Sequence, residues 1–148
     1  MSLSLSQMVD LLNSDLQNEY KHFRFYLHSS IMLTGLHRLF LTPWLVAQAD
    51  EEKGHVIEFA TKIRANGGVP TTESTDFPRD LVGPVDILKY ALAMEQEVVS
   101  NYHIRHAQAE ELSANTGKYY DLVVFLEDHI EHSQKDIDEL KMILNQFS

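Results

Sequence analysis

The stretch Gly67–Pro84, GGVPTTESTDFPRDLVGP, holds three prolines and three glycines and cannot be regular structure throughout. Long segments with apolar residues at helical spacing lie on both sides of it, so it reads as the one long connection of the chain. Upstream, a periodic segment from about Leu39 to Asn66 stops at Gly67-Gly68 with Pro70 beyond, a strong helix stop. Pro43 fits only in the first turns of that helix. Further upstream, Leu12, Leu16, Phe23, Tyr26 and Leu33 keep a three/four spacing that predicts a helix over about residues 4–35, ending near Gly35. Downstream, a third helix starts near Pro84, with Asp86 adding favourable charge at its amino end. It carries Leu88, Ala91, Leu92, Val99 and Tyr102 on one face and ends around Asn115-Thr116-Gly117. A fourth runs from about Lys118 to Asn145, with Leu122, Leu126, Ile130, Ile137, Leu140 and Leu144 as its stripe. Nothing reads as a strand. Two helices with a short link, a long crossover, then two more with a short link predict an all-α four-helix bundle with one long crossover between helices two and three, and residues 1–148 as a single domain.

The composition narrows the chemistry. Formal charge is −10, from 22 acidic and 12 basic residues, and no cluster of Lys or Arg forms a stripe or tail, so nucleic acid is a poor partner and cations a better one. There is no cysteine, which excludes disulfides, iron–sulfur clusters and thiolate zinc sites. A metal would have to be held by oxygen and imidazole nitrogen. The opening segment MSLSLSQMVDLLN has no basic region or cleavage site, and no apolar stretch approaches the ~18 residues of a membrane span. The expectation is a cytoplasmic protein with no membrane partner.

Projected on their own apolar stripes, three of the helices carry an acid where the pattern asks for an apolar residue. The first stripe passes through Glu19 and the third through Glu95. The second, within QADEEKGHVIEF from Gln48 to Phe59, passes through Glu52 and His55. A buried Glu costs several kcal/mol unless paired or neutralised. Three of them in register, one with a histidine at i+3, point to a pair of metal ions supplying the countercharge. Oxygen and imidazole donors suit iron or manganese.

The segments LNSDLQNEYKHFRFYL, QADEEKGHVIEFATKIRANGGVP and LAMEQE resemble the ferritin and bacterioferritin family, and the resemblance covers nearly the whole chain. It implies a ferritin-like bundle with Glu19 as the ligand of the first helix, Glu52 as the bridging carboxylate, His55 as the first imidazole and Glu95 as the ligand of the third helix. The resemblance also makes Tyr26 the aromatic expected near the centre. The fourth helix departs from the pattern. Aligned by apolar positions, Ser133 stands where a Glu belongs and Asp136 where a His belongs, so the expected fourth-helix ligand is Asp136, with His129 one turn away as a second candidate. His132 and Glu131 are weaker candidates, and among the scattered histidines, which more often lie at the surface or in helix packing, His22, one turn past Glu19, is the best placed as an auxiliary.

The resemblance further implies a ferroxidase, an enzyme that binds two irons per chain and oxidises Fe(II) to Fe(III) with dioxygen or peroxide in the service of iron storage. Glu52 and Tyr26 are its expected catalytic residues, and manganese or zinc its substitute metals. No haem is expected, because Lys53 follows Glu52 where haem-binding relatives place a Met. A homo-oligomer is expected. Its size stays open, from a dimer to a shell of 12 or 24 subunits, since the sequence stops at NQFS where large cages carry a fifth helix. Two other readings stand beside this one: a di-iron or di-manganese oxidoreductase acting on peroxide or an organic substrate, and a noncatalytic bundle with a degenerate metal site.

Overall fold

The computed structural model describes residues 3–147. They form four α-helices and no strand: α1 Leu5–Met32, α2 Arg38–Ala65, α3 Pro84–Thr116 and α4 Tyr120–Asn145. Local chemistry sets the ends. Ser4 opens α1 with a capping box, accepting a hydrogen bond from the Gln7 amide at 3.1 Å while the Gln7 side chain accepts from the Ser4 amide at 2.9 Å. Helix α1 ends at Met32, short of the Gly35 expected from the sequence, and its last carbonyls are taken up by the Arg38 guanidinium, which donates to Leu33 O at 2.6 Å and Ile31 O at 3.1 Å. Because α2 begins at Arg38, Pro43 falls in its second turn. Gly83 and Pro84 open α3, and Gly117, at φ 70°, closes it. Tyr119, also left-handed at φ 68°, delays the start of α4 to Tyr120.

Helix α1 packs chiefly on α2, and α3 on α4. The crossover follows α1 in the same direction along its outside. Thr71 N donates to Asn13 Oδ1 at 2.9 Å, Thr75 N to Gln17 O at 3.3 Å and Thr34 N to Val82 O at 3.0 Å. Gly68 starts this run where the backbone passes so close to α1 that a Cβ would sit 2.5 Å from Val9 Cγ1.

Apolar side chains gather in two separate clusters rather than one. The first contains Leu12, Leu16, Phe59, Ile63, Tyr102 and Leu126. The second contains Phe25, Tyr26, Leu45, Leu88, Met94 and Leu140. On every helix the residues between the clusters are polar and buried: Glu19 and His22 on α1, Glu52 and His55 on α2, Glu95 on α3, and His129, Ser133 and Asp136 on α4. The bundle is thus two apolar halves enclosing a polar layer.

Candidate metal centre

The layer is assembled by helical spacing alone. Glu19 is 2% exposed, Glu52 2% and Glu95 0%. His55 Nδ1 lies 3.0 Å from Glu52 Oε2 and 3.5 Å from Glu19 Oε2, joining α2 to α1. His22 Nδ1 lies 2.9 Å from Glu95 Oε1, joining α1 to α3. Two buried phenols hold the flanking carboxylates, Tyr26 donating to Glu95 Oε1 at 3.3 Å and Tyr102 to Glu19 Oε1. From α4, the His129 and His132 rings meet the His55 ring edge-on, with centroids at 4.8 and 4.5 Å.

Among the described residues, three sets of ligand atoms come together, each within 4.8 Å: Glu19, His55 and His129; His22, Glu52 and Glu95; and Glu51, His132 and Asp136. The first two sets are wholly buried, and the third lies on the flank where Glu51 is exposed. Asp136, the expected fourth-helix ligand, is buried on α4, and its ligand atom groups with those of Glu51 and His132. His129 sits with Glu19 and His55 and also pairs through Nε2 with the exposed Glu58 at 3.0 Å. His22, His132 and Glu51 are the residues of these groups that the sequence does not bring forward as leading ligands. One signal for His22 was present: Glu19 and His22 repeat on α1 the i, i+3 spacing of Glu52 and His55 on α2.

The electrostatics follow from crowding carboxylates in a dry layer. Burial pushes the Asp136 carboxyl up to about 8, with repulsion from Glu95 and Glu51 adding to it. Burial also raises the Glu52 carboxyl well above the usual range, and Glu19 beside it raises it further. For His55 burial opposes charge, but the Glu19 and Glu52 carboxylates beside it outweigh it and push the imidazole up to about 11. Burial opposes charge on Glu19 too, yet the neighbouring His55 imidazole holds it ionised below the ordinary range. His129 is driven neutral by burial, the form in which an imidazole binds metal.

Even so, Glu95 Oε2 and Gln48 Oε1 are buried without a hydrogen bond, and Glu19 Oε2 and Asp136 Oδ2 have only the longer contacts with His55 at 3.5 Å and His132 at 3.6 Å. Carboxylate oxygens left this way are costly. Divalent cations match such a donor set of oxygen and imidazole nitrogen, and the residues therefore fit iron, manganese or zinc.

A four-helix bundle with a long crossover and an inward layer of Glu and His is the di-metal carboxylate class of helical protein. The chain belongs to the ferritin-like domain family, whose model matches residues 9–148. It is similar to a ferritin-like, diiron-carboxylate protein from Bacillus anthracis str. Ames, at 32% identity and a TM-score of 0.83 over 97% of this chain and 99% of that one. It shares its fold with the bacterioferritin of Desulfovibrio desulfuricans, at 19% identity and a TM-score of 0.85 over 94% of this chain and 78% of that one. A bacterioferritin-related dodecameric thioferritin from Bacteroides fragilis has the same fold, at 18% identity and a TM-score of 0.84 over 99% and 89% of the two chains. No curated protein sequence matches the chain. Among the described residues, no helix is long and apolar enough to cross a membrane.

Proposed function

We propose that the chain binds Fe(II) inside its own bundle, oxidises it to Fe(III) with dioxygen or peroxide, and so serves iron storage. The observation that carries this reading is one buried layer in which Glu95 Oε2 has no partner, while Glu19 Oε2 and Asp136 Oδ2 make no hydrogen bond and meet only imidazoles, at 3.5 and 3.6 Å. Structural polarity alone would leave a buried oxygen such as that of Glu95 uncompensated at a cost of about 1–3 kcal/mol. A pair of divalent ions removes that cost.

In this reading Glu52 bridges, because it lies beside His55 on one side and is grouped with Glu95 on the other. Glu19 and His55, with His129, hold one ion. Glu95 serves the other, its free oxygen available while Tyr26 fixes its partner oxygen. Asp136, with Glu51 and His132, supplies ligands where α4 closes the centre toward the flank. Each Fe(II) gives up one electron. A pair reduces dioxygen to hydrogen peroxide with two protons, or peroxide to two waters. The protein sets the spacing of the ions and keeps the surroundings dry through the two apolar clusters.

The Bacillus anthracis relative is described as a diiron-carboxylate protein and the Desulfovibrio structure as containing a diiron site, which supports iron here. The Bacteroides relative is dodecameric, which supports a homo-oligomer. Manganese and zinc are substitutes that the same donors accept. The test is the growth of Fe(III) absorbance when metal-free protein meets Fe(II) in air: faster than buffer is expected, and no faster contradicts the proposal.

A further inference from the structure

The two helices that pack together most extensively, α1 and α2, carry the same short pattern, Glu19-x-x-His22 and Glu52-x-x-His55. At i, i+3 each histidine lies on the same face as its own glutamate. Each then reaches across to another helix. His55 on α2 approaches Glu19 on α1 at 3.5 Å, and the ligand atoms of His22 on α1 group with those of Glu52 on α2 and Glu95 on α3. His22 is 2% exposed, too deep for a surface histidine. Its Nδ1 faces Glu95 Oε1 at 2.9 Å, while Glu95 Oε2, fully buried, has no partner.

That spacing has a chemical meaning. Two donors in adjacent positions of a six-coordinate ion, each bonded at about 2.1 Å, sit about 3.0 Å apart. His55 Nδ1 and Glu52 Oε2 show the same separation on the other side of the layer, 3.0 Å. From this geometry we infer that His22 is a metal ligand, supplying the imidazole of the second metal position together with Glu52 and Glu95. The inference rests on the reading of the layer as a pair of metal positions. It accounts for α4: with Ser133 and Asp136 where a ligand pair was expected, the second imidazole has moved from the fourth helix to the first. His129 is then free to join Glu19 and His55, as its grouping places it.

A positioning role, in which His22 only orients Glu95 by a hydrogen bond, is separable from ligation. His22→Asn puts a neutral amide near the place of Nδ1, able to donate to Glu95 but a much weaker donor to a cation than imidazole. His22→Asp puts a carboxylate oxygen there, able to bind a cation but not to donate. The probe is Co(II), titrated anaerobically into the metal-free full chain, with ions per chain counted and helix content checked by circular dichroism. About two ions are expected for the unaltered chain, one for His22→Asn and two for His22→Asp. Two ions at unchanged affinity in His22→Asn would overturn the ligand role while leaving the paired centre standing. Should His22→Asn fail to fold, His22→Asp carries the test, and a single ion there counts against the inference. No bound Co(II) in the unaltered chain would remove the paired centre itself and the inference with it.

Discussion

Tyr102 on α3 donates its phenolic proton to Oε1 of Glu19 on α1, while its ring lies stacked on Phe59 of α2 with centroids 5.6 Å apart. One fully buried side chain thereby ties the polar layer to the apolar cluster beneath it. Removing the hydroxyl by Tyr102→Phe leaves the ring packing intact and Glu19 Oε1 without its donor. We expect the metal-free protein to lose about 1–3 kcal/mol of stability, read from urea unfolding. Metal affinity should fall by about 10–100-fold, as for other residues that orient a ligand. Unchanged values for both would deny Tyr102 a part in holding the site.

The stability of the metal-free protein should fall as pH rises. Asp136, pushed up to about 8, holds a proton in the folded chain across a range where the unfolded chain has lost it. Its contribution is present below the ordinary carboxylate value of 3.8 and is lost as pH climbs through about 8. His55, raised from 6.5 to about 11, acts in the same direction over a higher range. Glu19, depressed, acts oppositely, but only in acid. Urea midpoints at pH 5.5 and 8.5 test this: the metal-free midpoint is expected to be lower at the higher pH, and metal loading to reduce or reverse the difference, because ions displace those protons. A midpoint of metal-free protein that rises with pH contradicts it.

Chelation should be visible in thermal unfolding. An ion that binds only the folded chain stabilises it by about 2.7 kcal/mol at a hundred times its Kd, which for a chain of this size moves Tm by roughly 5–10 °C. Mn(II) and Zn(II) are suitable probes because neither is oxidised on mixing. A melting temperature indifferent to metal and to chelator would favour a noncatalytic bundle.

Away from the site, Gly68→Ala tests the seating of the crossover. Its Cβ would lie 2.5 Å from Val9 Cγ1 and 2.8 Å from Ile63 Cγ2, two branched side chains packed in the core. Overpacking of this kind costs about 1–3 kcal/mol, so the urea midpoint should drop. Fe(II) binding at the distant layer should persist in the fraction that stays folded.

The bundle and much of the polar layer were legible in the sequence for a simple reason. Long uninterrupted periodicity places Glu19, Glu52, His55 and Glu95 on buried faces before any tertiary contact is known, and all four are buried. Helix ends were less legible, because Met32 and Tyr120 are set by Arg38 reaching back across a turn and by Tyr119 taking a left-handed conformation. The α4 side was harder still. Its charged positions lie near the edge of the stripe, where rotations too small to read from sequence decide whether a side chain turns inward. His129 and His132 both meet His55, whereas Asp136 pairs with His132 at 3.6 Å. His22 lies just off the apolar stripe of α1, and only its repeat of the Glu52-to-His55 spacing marked it.

The central claim is that Fe(II) is bound and oxidised within this layer, and the most direct test is aerobic Fe(II) oxidation by metal-free protein, unaltered and Glu52→Ala side by side, with iron per chain counted in the same samples. The account predicts oxidation well above buffer at about two irons per chain, abolished by Glu52→Ala while the helices persist. Oxidation no faster than buffer, or a rate that Glu52→Ala leaves unchanged, would contradict it.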